Sequence, residues 1–138
     1  MLSNTLVTNE VKDAAGAEVE FERMSIDNAK TIFKKIVDDV ANPIRMSISH
    51  QHTGSGTTRT RRSMVRFDKG VTNGTTGAKG TSSCYCVLSS PEGMIANGDN
   101  DKAVLAYLIS FLASLGASTT ILYDGTGNGA ATLLNETL

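Results

Sequence analysis

Three stretches in the middle of the chain alternate apolar and polar residues with a period of two. That pattern restricts the fold to one built around a sheet with two unlike faces. In Ile44-Arg45-Met46-Ser47-Ile48-Ser49 the even positions are apolar, so Arg45, Ser47 and Ser49 are presented on the opposite side. In Arg62-Ser63-Met64-Val65-Arg66-Phe67, Val65 and Phe67 turn inward while Arg62, Met64 and Arg66 turn outward. In Ser83-Cys84-Tyr85-Cys86-Val87-Leu88, Cys84, Cys86 and Leu88 share the inward face, and Ser83, Tyr85 and Val87 share the other. The Gly/Ser/Thr loop of residues 53–58 lets the first two strands pair as a hairpin, with Arg45 opposite Arg66 and Ser49 opposite Arg62. Like charges opposed in a sheet destabilise it by up to about 1 kcal/mol, a penalty that an anionic ligand removes.

The charge distribution agrees with that placement. Residues 45–80 carry seven basic and one acidic residue, a net +6, whereas residues 1–44 stand at −3 and residues 81–138 at −4. The formal total of −1 conceals this separation. A positive stripe on a sheet can neutralise several phosphates and release their counterions. An exposed Tyr85 among Arg and Ser donors is a surface on which single-stranded bases stack, for about 1–3 kcal/mol per base. The competing accounts are a solvated polar face and a half-buried strand tyrosine with its hydroxyl in water.

Upstream, residues 5–12 and the strictly alternating Ala17-Glu18-Val19-Glu20-Phe21-Glu22 flank Asp13-Ala14-Ala15-Gly16, a β-hairpin with one buried and one acidic face. Glu18, Glu20 and Glu22 read as a water-facing edge rather than a metal or acid/base cluster, and they mark a surface turned away from nucleic acid. Over residues 25–42 the period changes: Ala29, Ile32, Phe33, Ile36, Val37 and Val40 recur at helical spacing, with Asp27 as a cap and Asn42-Pro43 as a stop. This stretch reads as an amphipathic helix. Residues 72–80, rich in Gly and Thr, read as a mobile loop.

A second helix, residues 103–115, follows Asp99, Asn100 and Asp101 and stops at Gly116. Leu105, Leu108, Ile109, Phe111 and Leu112 belong to an apolar surface covering more than half its circumference, each side chain worth roughly 1.5–3 kcal/mol when fully buried. A small sheet covers one side of such a helix, so a partner subunit is expected on the other. The run is too short to span a bilayer, and no basic-then-apolar leader opens the chain, which suggests a soluble protein made in a cytoplasm. Cys84 and Cys86 read as buried small hydrophobes, with a disulfide between subunits as the alternative.

In its order of elements and its length the chain resembles the coat proteins of single-stranded RNA bacteriophages, the levivirus-like family. The resemblance covers residues 4–123 and rests on Asp27-Asn28-Ala29-Lys30-Thr31-Ile32-Phe33, on Pro43-Ile44-Arg45-Met46-Ser47-Ile48-Ser49-His50-Gln51, and on Arg61-Arg62-Ser63-Met64-Val65-Arg66-Phe67. It implies an α+β fold: an N-terminal β-hairpin, an antiparallel meander sheet, and one or two C-terminal α-helices packing on a partner subunit's sheet. It also implies a homodimer whose sheets join edge to edge, an icosahedral shell with the helices and N-terminal hairpin outside, and a sheet that faces the genome. In that family the sheet also binds an RNA stem-loop that represses replicase translation. Carried over residue by residue, the RNA contacts fall on Ser47, Ser49, Arg66 and Tyr85; strand alternation adds Arg45 and Arg62.

Under this reading residues 1–138 form a single coat-protein domain, with a hairpin in 1–24, a sheet region in 25–90, a helical region in 97–124 and a tail in 125–138. The protein is then a virion component made in the host bacterial cytoplasm, with no cofactor, metal or membrane partner. Departures from the family are the helical period within residues 28–41, the loop at 72–80 where the family carries a strand, and Gly125-Thr126-Gly127-Asn128-Gly129. The last reads as a flexible linker that confines any second helix to a short one or one ending near Asp124.

Two other classes compete. A small cellular RNA-binding module would share the Arg/Ser/Tyr face but would not need so apolar a helix. An enzyme would need a site, and His50 and His52 could hold a metal from one strand face but lack a third ligand at suitable spacing. The glycine run lacks the Lys-Ser/Thr of a phosphate loop, and no Ser or Cys nucleophile has a base and an orienting partner.

Overall fold

The computed structural model describes residues 2–92, 98–117 and 120–136. Residue 1 of the expected hairpin, residues 97 and 118–119 of the expected helical region and residues 137–138 of the tail lie outside them. The chain divides into two compact units, one formed by residues 1–8 and 20–96 and the other by residues 9–19 and 97–138.

The first unit is an antiparallel sheet of six strands in simple meander order: β1 (Thr5–Leu6), β2 (Phe21–Asp27), β3 (Lys30–Lys35), β4 (Ile44–Thr53), β5 (Thr60–Thr72) and β6 (Lys79–Pro91). A short 3-10 turn, Gly56–Thr58, joins β4 to β5. The expected N-terminal hairpin contributes the pairs Thr5↔Glu22 and Leu6↔Phe21 to this sheet. One face is apolar. Phe21, Phe33 and Met46 are buried on it, and Phe21 meets Phe67 edge-on at 6.1 Å between ring centroids.

The helix expected over residues 25–42 does not form. β2 and β3 reverse at Asn28-Ala29, where Asp27 Oδ1 accepts the Asn28 N–H rather than capping a helix. Thr31, Ile32 and Phe33 are strand formers, and pairing Phe33 with Met46 buries the Phe33 ring completely. Val37 and Val40, which the helical reading placed on a buried stripe, are 79% and 96% exposed. Tertiary pairing thus overrides the local period.

The expected loop at residues 72–80 shortens to a turn over residues 73–78, and strand structure reaches it from both sides. β5 runs to Thr72 and β6 starts at Lys79, paired to each other, and the tip between them is pinned at Asn73. The Asn73 side-chain oxygen accepts the N–H groups of Thr75 and Thr76 at 2.8 and 3.0 Å, while its backbone N–H bonds Ala78 O and its carbonyl accepts the Gly77 N–H.

The second unit holds the tip of the N-terminal hairpin and two helices, α1 (Gly98–Ala113) and α2 (Asn128–Asn135). The tip pairs Lys12 with Glu18 around a turn in which Asp13 Oδ1 accepts the N–H groups of Ala15 and Ala17, and Lys12 Nζ lies 5.5 Å from the centre of the Tyr123 ring. The expected flexible linker instead opens α2. Its glycines serve close packing: a Cβ on Gly127 would lie 2.2 Å from Leu112 O, and one on Gly129 would lie 2.5 Å from Phe111 Cδ1. Only residues without side chains let the start of α2 approach the end of α1 this closely. Among the described residues no helix is long and apolar enough to cross a membrane.

Candidate nucleic-acid interface

The face of the sheet opposite the apolar one gathers all six expected contact residues. The β4–β5 register pairs Ser47 with Arg66, Ser49 with Met64 and Gln51 with Arg62, and the β5–β6 register pairs Arg66 with Tyr85. Directly opposed residues of an antiparallel pair share a face, so Arg45, Ser47, Ser49, Arg62, Arg66 and Tyr85 lie on one surface. The expected pairing of Arg45 with Arg66 and Ser49 with Arg62 is displaced by two residues, because the hairpin closes at Thr53↔Thr60 and its connection takes up residues 54–59. A shift of two preserves the faces.

The corrected register separates Arg45 from Arg66, although Lys34 stands opposite Arg45 on its other side. Arg45 lies opposite Asp68, and its guanidinium donates a charge-assisted bond to Asp38 Oδ2. Burial opposes the charge on Asp38, but the Arg45 bond and the Ile44 N–H, at 3.0 Å from Oδ1, outweigh it and hold the carboxyl below its usual range. Arg66 donates from Nε to Asp68 Oδ1 at 2.8 Å and from Nη2 to Ser83 Oγ at 3.2 Å. The Ser83 hydroxyl also donates to Asp68 Oδ1; this bond, together with Arg66, lowers the Asp68 pKa against a smaller desolvation cost.

Arg62 is exposed and, among the described residues, has no carboxylate partner. It borders a shallow hollow of about 210 Å³ with Ser49, Gln51, Met64 and Val87. Tyr85 is 64% exposed beside it on β6, while Ser47 is buried.

The helical reading of residues 25–42 hid part of this surface. Once β3 is a strand, Lys30, Ile32 and Lys34 pair with Ser49, Ser47 and Arg45 and join the same face. The parity of Ile32 and Lys34 against the preserved alternation of β4 was the only signal available. Glu22 pairs with Lys34 in register and through a 2.8 Å ion pair, so it too lies on the basic face, contrary to the expectation that the acidic hairpin marks only a surface turned away from nucleic acid.

The cysteines are less buried than expected. They lie on the apolar face opposite Phe67 and Val65, but Cys84 is exposed and Cys86 half-buried, because β6 is the last strand of the sheet. The two histidines also lie on that face and turn to other partners: His50 Nδ1 is 2.9 Å from Ser63 Oγ, and His52 Nδ1 is 2.8 Å from Glu92 Oε2, which Arg59 Nε also meets at 3.1 Å. Among the described residues no three His, Cys, Asp or Glu side chains gather as metal ligands. On α1, Leu105, Leu108, Ile109 and Phe111 are all more than a third exposed within one chain, and Leu112 is half-buried.

The six-stranded antiparallel meander followed by two helices is a fold shared with solved coat proteins and virus-like particles of bacteriophages and levi-like viruses. The chain is similar to the bacteriophage EMS014 coat protein, with a TM-score of 0.66 at 11% identity over 88% of this chain and 89% of that one. It is also similar to the virus-like particle chain of bacteriophage ESE020, with a TM-score of 0.64 at 14% identity over 87% and 86% of the two chains. The corresponding chain of Beihai levi-like virus 21 gives 0.60 at 10% identity over 87% and 86%. No protein-family model matches the sequence, and no curated protein does.

Proposed function

We propose that this chain is a structural capsid protein, not an enzyme: it dimerises, closes into an icosahedral shell, and holds a single-stranded RNA genome against the basic face of its sheet. In this reading β6 of one subunit pairs with β6 of the next, and α1 of each lies over the apolar face of its partner. The basic face also binds a stem-loop of the genome, repressing translation of the replicase. The protein is made in the host bacterial cytoplasm and ends in the virion.

The observation that carries this reading is the exposure of α1. A helix that leaves Val104 and Phe111 58% exposed and Leu105, Leu108 and Ile109 38–46% exposed within its own chain forgoes several kcal/mol of burial in total, which a second copy of the coat-protein fold can supply. The margins of the sheet agree. β1 has two residues, whereas β6 has thirteen, and from Gly80 to Ser90 it carries neither charge nor proline to discourage pairing. On the basic face, Arg62 and Ser49 line a hollow, and Arg66 and Tyr85, paired in register on the same face, supply a further phosphate donor and a stacking ring.

Size-exclusion chromatography and electron microscopy of the purified protein test the reading. Shells of uniform diameter containing host RNA are expected, and a stable monomer overturns it.

A further inference from the structure

The free margin of β6 carries both cysteines, and pairing over its whole length with a second copy would fix what they meet across a dimer seam. The inference rests on the proposed β6 to β6 pairing. A two-fold axis perpendicular to the sheet keeps each face on its own side, so residues of the apolar face meet residues of the apolar face. Pairing along all thirteen residues from Lys79 to Pro91 sets the central residue, Tyr85, opposite Tyr85 of the partner subunit. Cys84 then faces Cys86 of the partner subunit, and by symmetry the reverse pair forms as well.

Opposed residues of an antiparallel ladder stand about 4.5–5.5 Å apart at Cα, inside the roughly 4.4–6.8 Å that a disulfide spans. Within one strand the same two cysteines are about 6.6–6.8 Å apart with parallel Cβ directions, so they do not bridge each other. We propose that the seam holds two intersubunit thiol pairs, Cys84 with Cys86 of the partner subunit, which lock the dimer covalently when it meets a small-molecule disulfide.

The exchange balances. The thiolate of Cys84, exposed in the single chain, attacks glutathione disulfide and forms a mixed disulfide, releasing one glutathione thiolate. The thiolate of Cys86 of the partner subunit then displaces the second glutathione. Two cysteines are oxidised, one glutathione disulfide is reduced to two thiols, and the two cysteine protons pass to the released thiolates. In a reducing cytoplasm the pairs stay open, and they close once the particle leaves it.

The test uses the full-length protein in four forms: unsubstituted, Cys84→Ser, Cys86→Ser, and the two variants co-expressed. Each is sized under reductant, then treated with glutathione disulfide, alkylated, and run on a denaturing gel without reductant. All forms should size as dimers or shells. The unsubstituted protein should give covalent dimers, each variant alone should give monomers, and the co-expressed pair should give a covalent band, because only the heterodimer sets Cys84 against Cys86. A covalent dimer from either variant alone overturns the proposed pairing, as does an unsubstituted protein that stays non-covalent while sizing as a dimer. A monomer under reductant overturns the dimer reading itself, a result separate from the gel.

Discussion

Arg66 and Asp68 stand two apart on β5 and point to the same face, and Arg66 Nε donates to Asp68 Oδ1 at 2.8 Å. The carboxylate aims the guanidinium along the strand toward Ser83 and offsets part of its charge at the surface proposed to hold RNA. Asp68→Asn should therefore strengthen RNA binding at low salt, and Arg66→Ala should weaken it and reduce the slope of log affinity against log salt by about 0.7. Filter binding over a salt series reads both. An unchanged slope in Arg66→Ala would remove Arg66 from the interface.

Tyr85 sits opposite Arg66 in register with its ring largely in solvent. Tyr85→Ala should cost about 1–3 kcal/mol of affinity for a cognate stem-loop if one base stacks on it, while shells still assemble. Tyr85→Phe should retain most of that affinity. Equal losses in the two variants would point to the hydroxyl rather than the ring.

Asp38 is held ionised by Arg45 and by the Ile44 N–H despite partial burial. A folded-state pKa below the ordinary value of 3.8 means that its contribution to stability is whole above that value. The contribution fades as pH falls through the folded pKa. Asp38→Ala should lower the urea midpoint at neutral pH, and the gap from the unsubstituted protein should close in strong acid. A gap of constant size across that range would show that the ion pair is not its source.

Gly127→Ala would place a methyl group against the backbone carbonyl of Leu112, which cannot swing aside as a side chain can. A loss of about 1–3 kcal/mol is expected, read as a lower thermal midpoint with α2 detached from α1. Gly74→Ala, at a turn position with open space around it, is the control that should change little.

Leu108 on α1 is 39% exposed in one chain. Leu108→Asp should shift native mass toward monomer, because the roughly 0.6–1.2 kcal/mol per subunit that covering its remaining exposed surface supplies is lost and a charge is stranded in the seam. Shells from this variant would show that α1 is not an interface.

The two-faced sheet was legible in the chain because alternation is a local property: Arg45, Ser47, Ser49, Arg62, Arg66 and Tyr85 share a face for any register that keeps the same parity, so a two-residue error in pairing left the surface intact. The helix expected over residues 103–115 was legible in kind for the same reason, but not in its bounds: α1 runs Gly98–Ala113, so Asp99 and Asp101 lie in its first turn rather than ahead of it, and it ends before Gly116. Residues 25–42 were not legible, since a helical period and a strand pair compete there, and only the partner strand carrying Met46 decides for Phe33. Nor could local pattern show that Lys30 and Lys34 join the basic face, that Asp38 and Asp68 hold its arginines, or that the glycines after Asp124 pack one helix on another. Those are contacts between distant segments, and their energies exist only once the chain has brought the segments together.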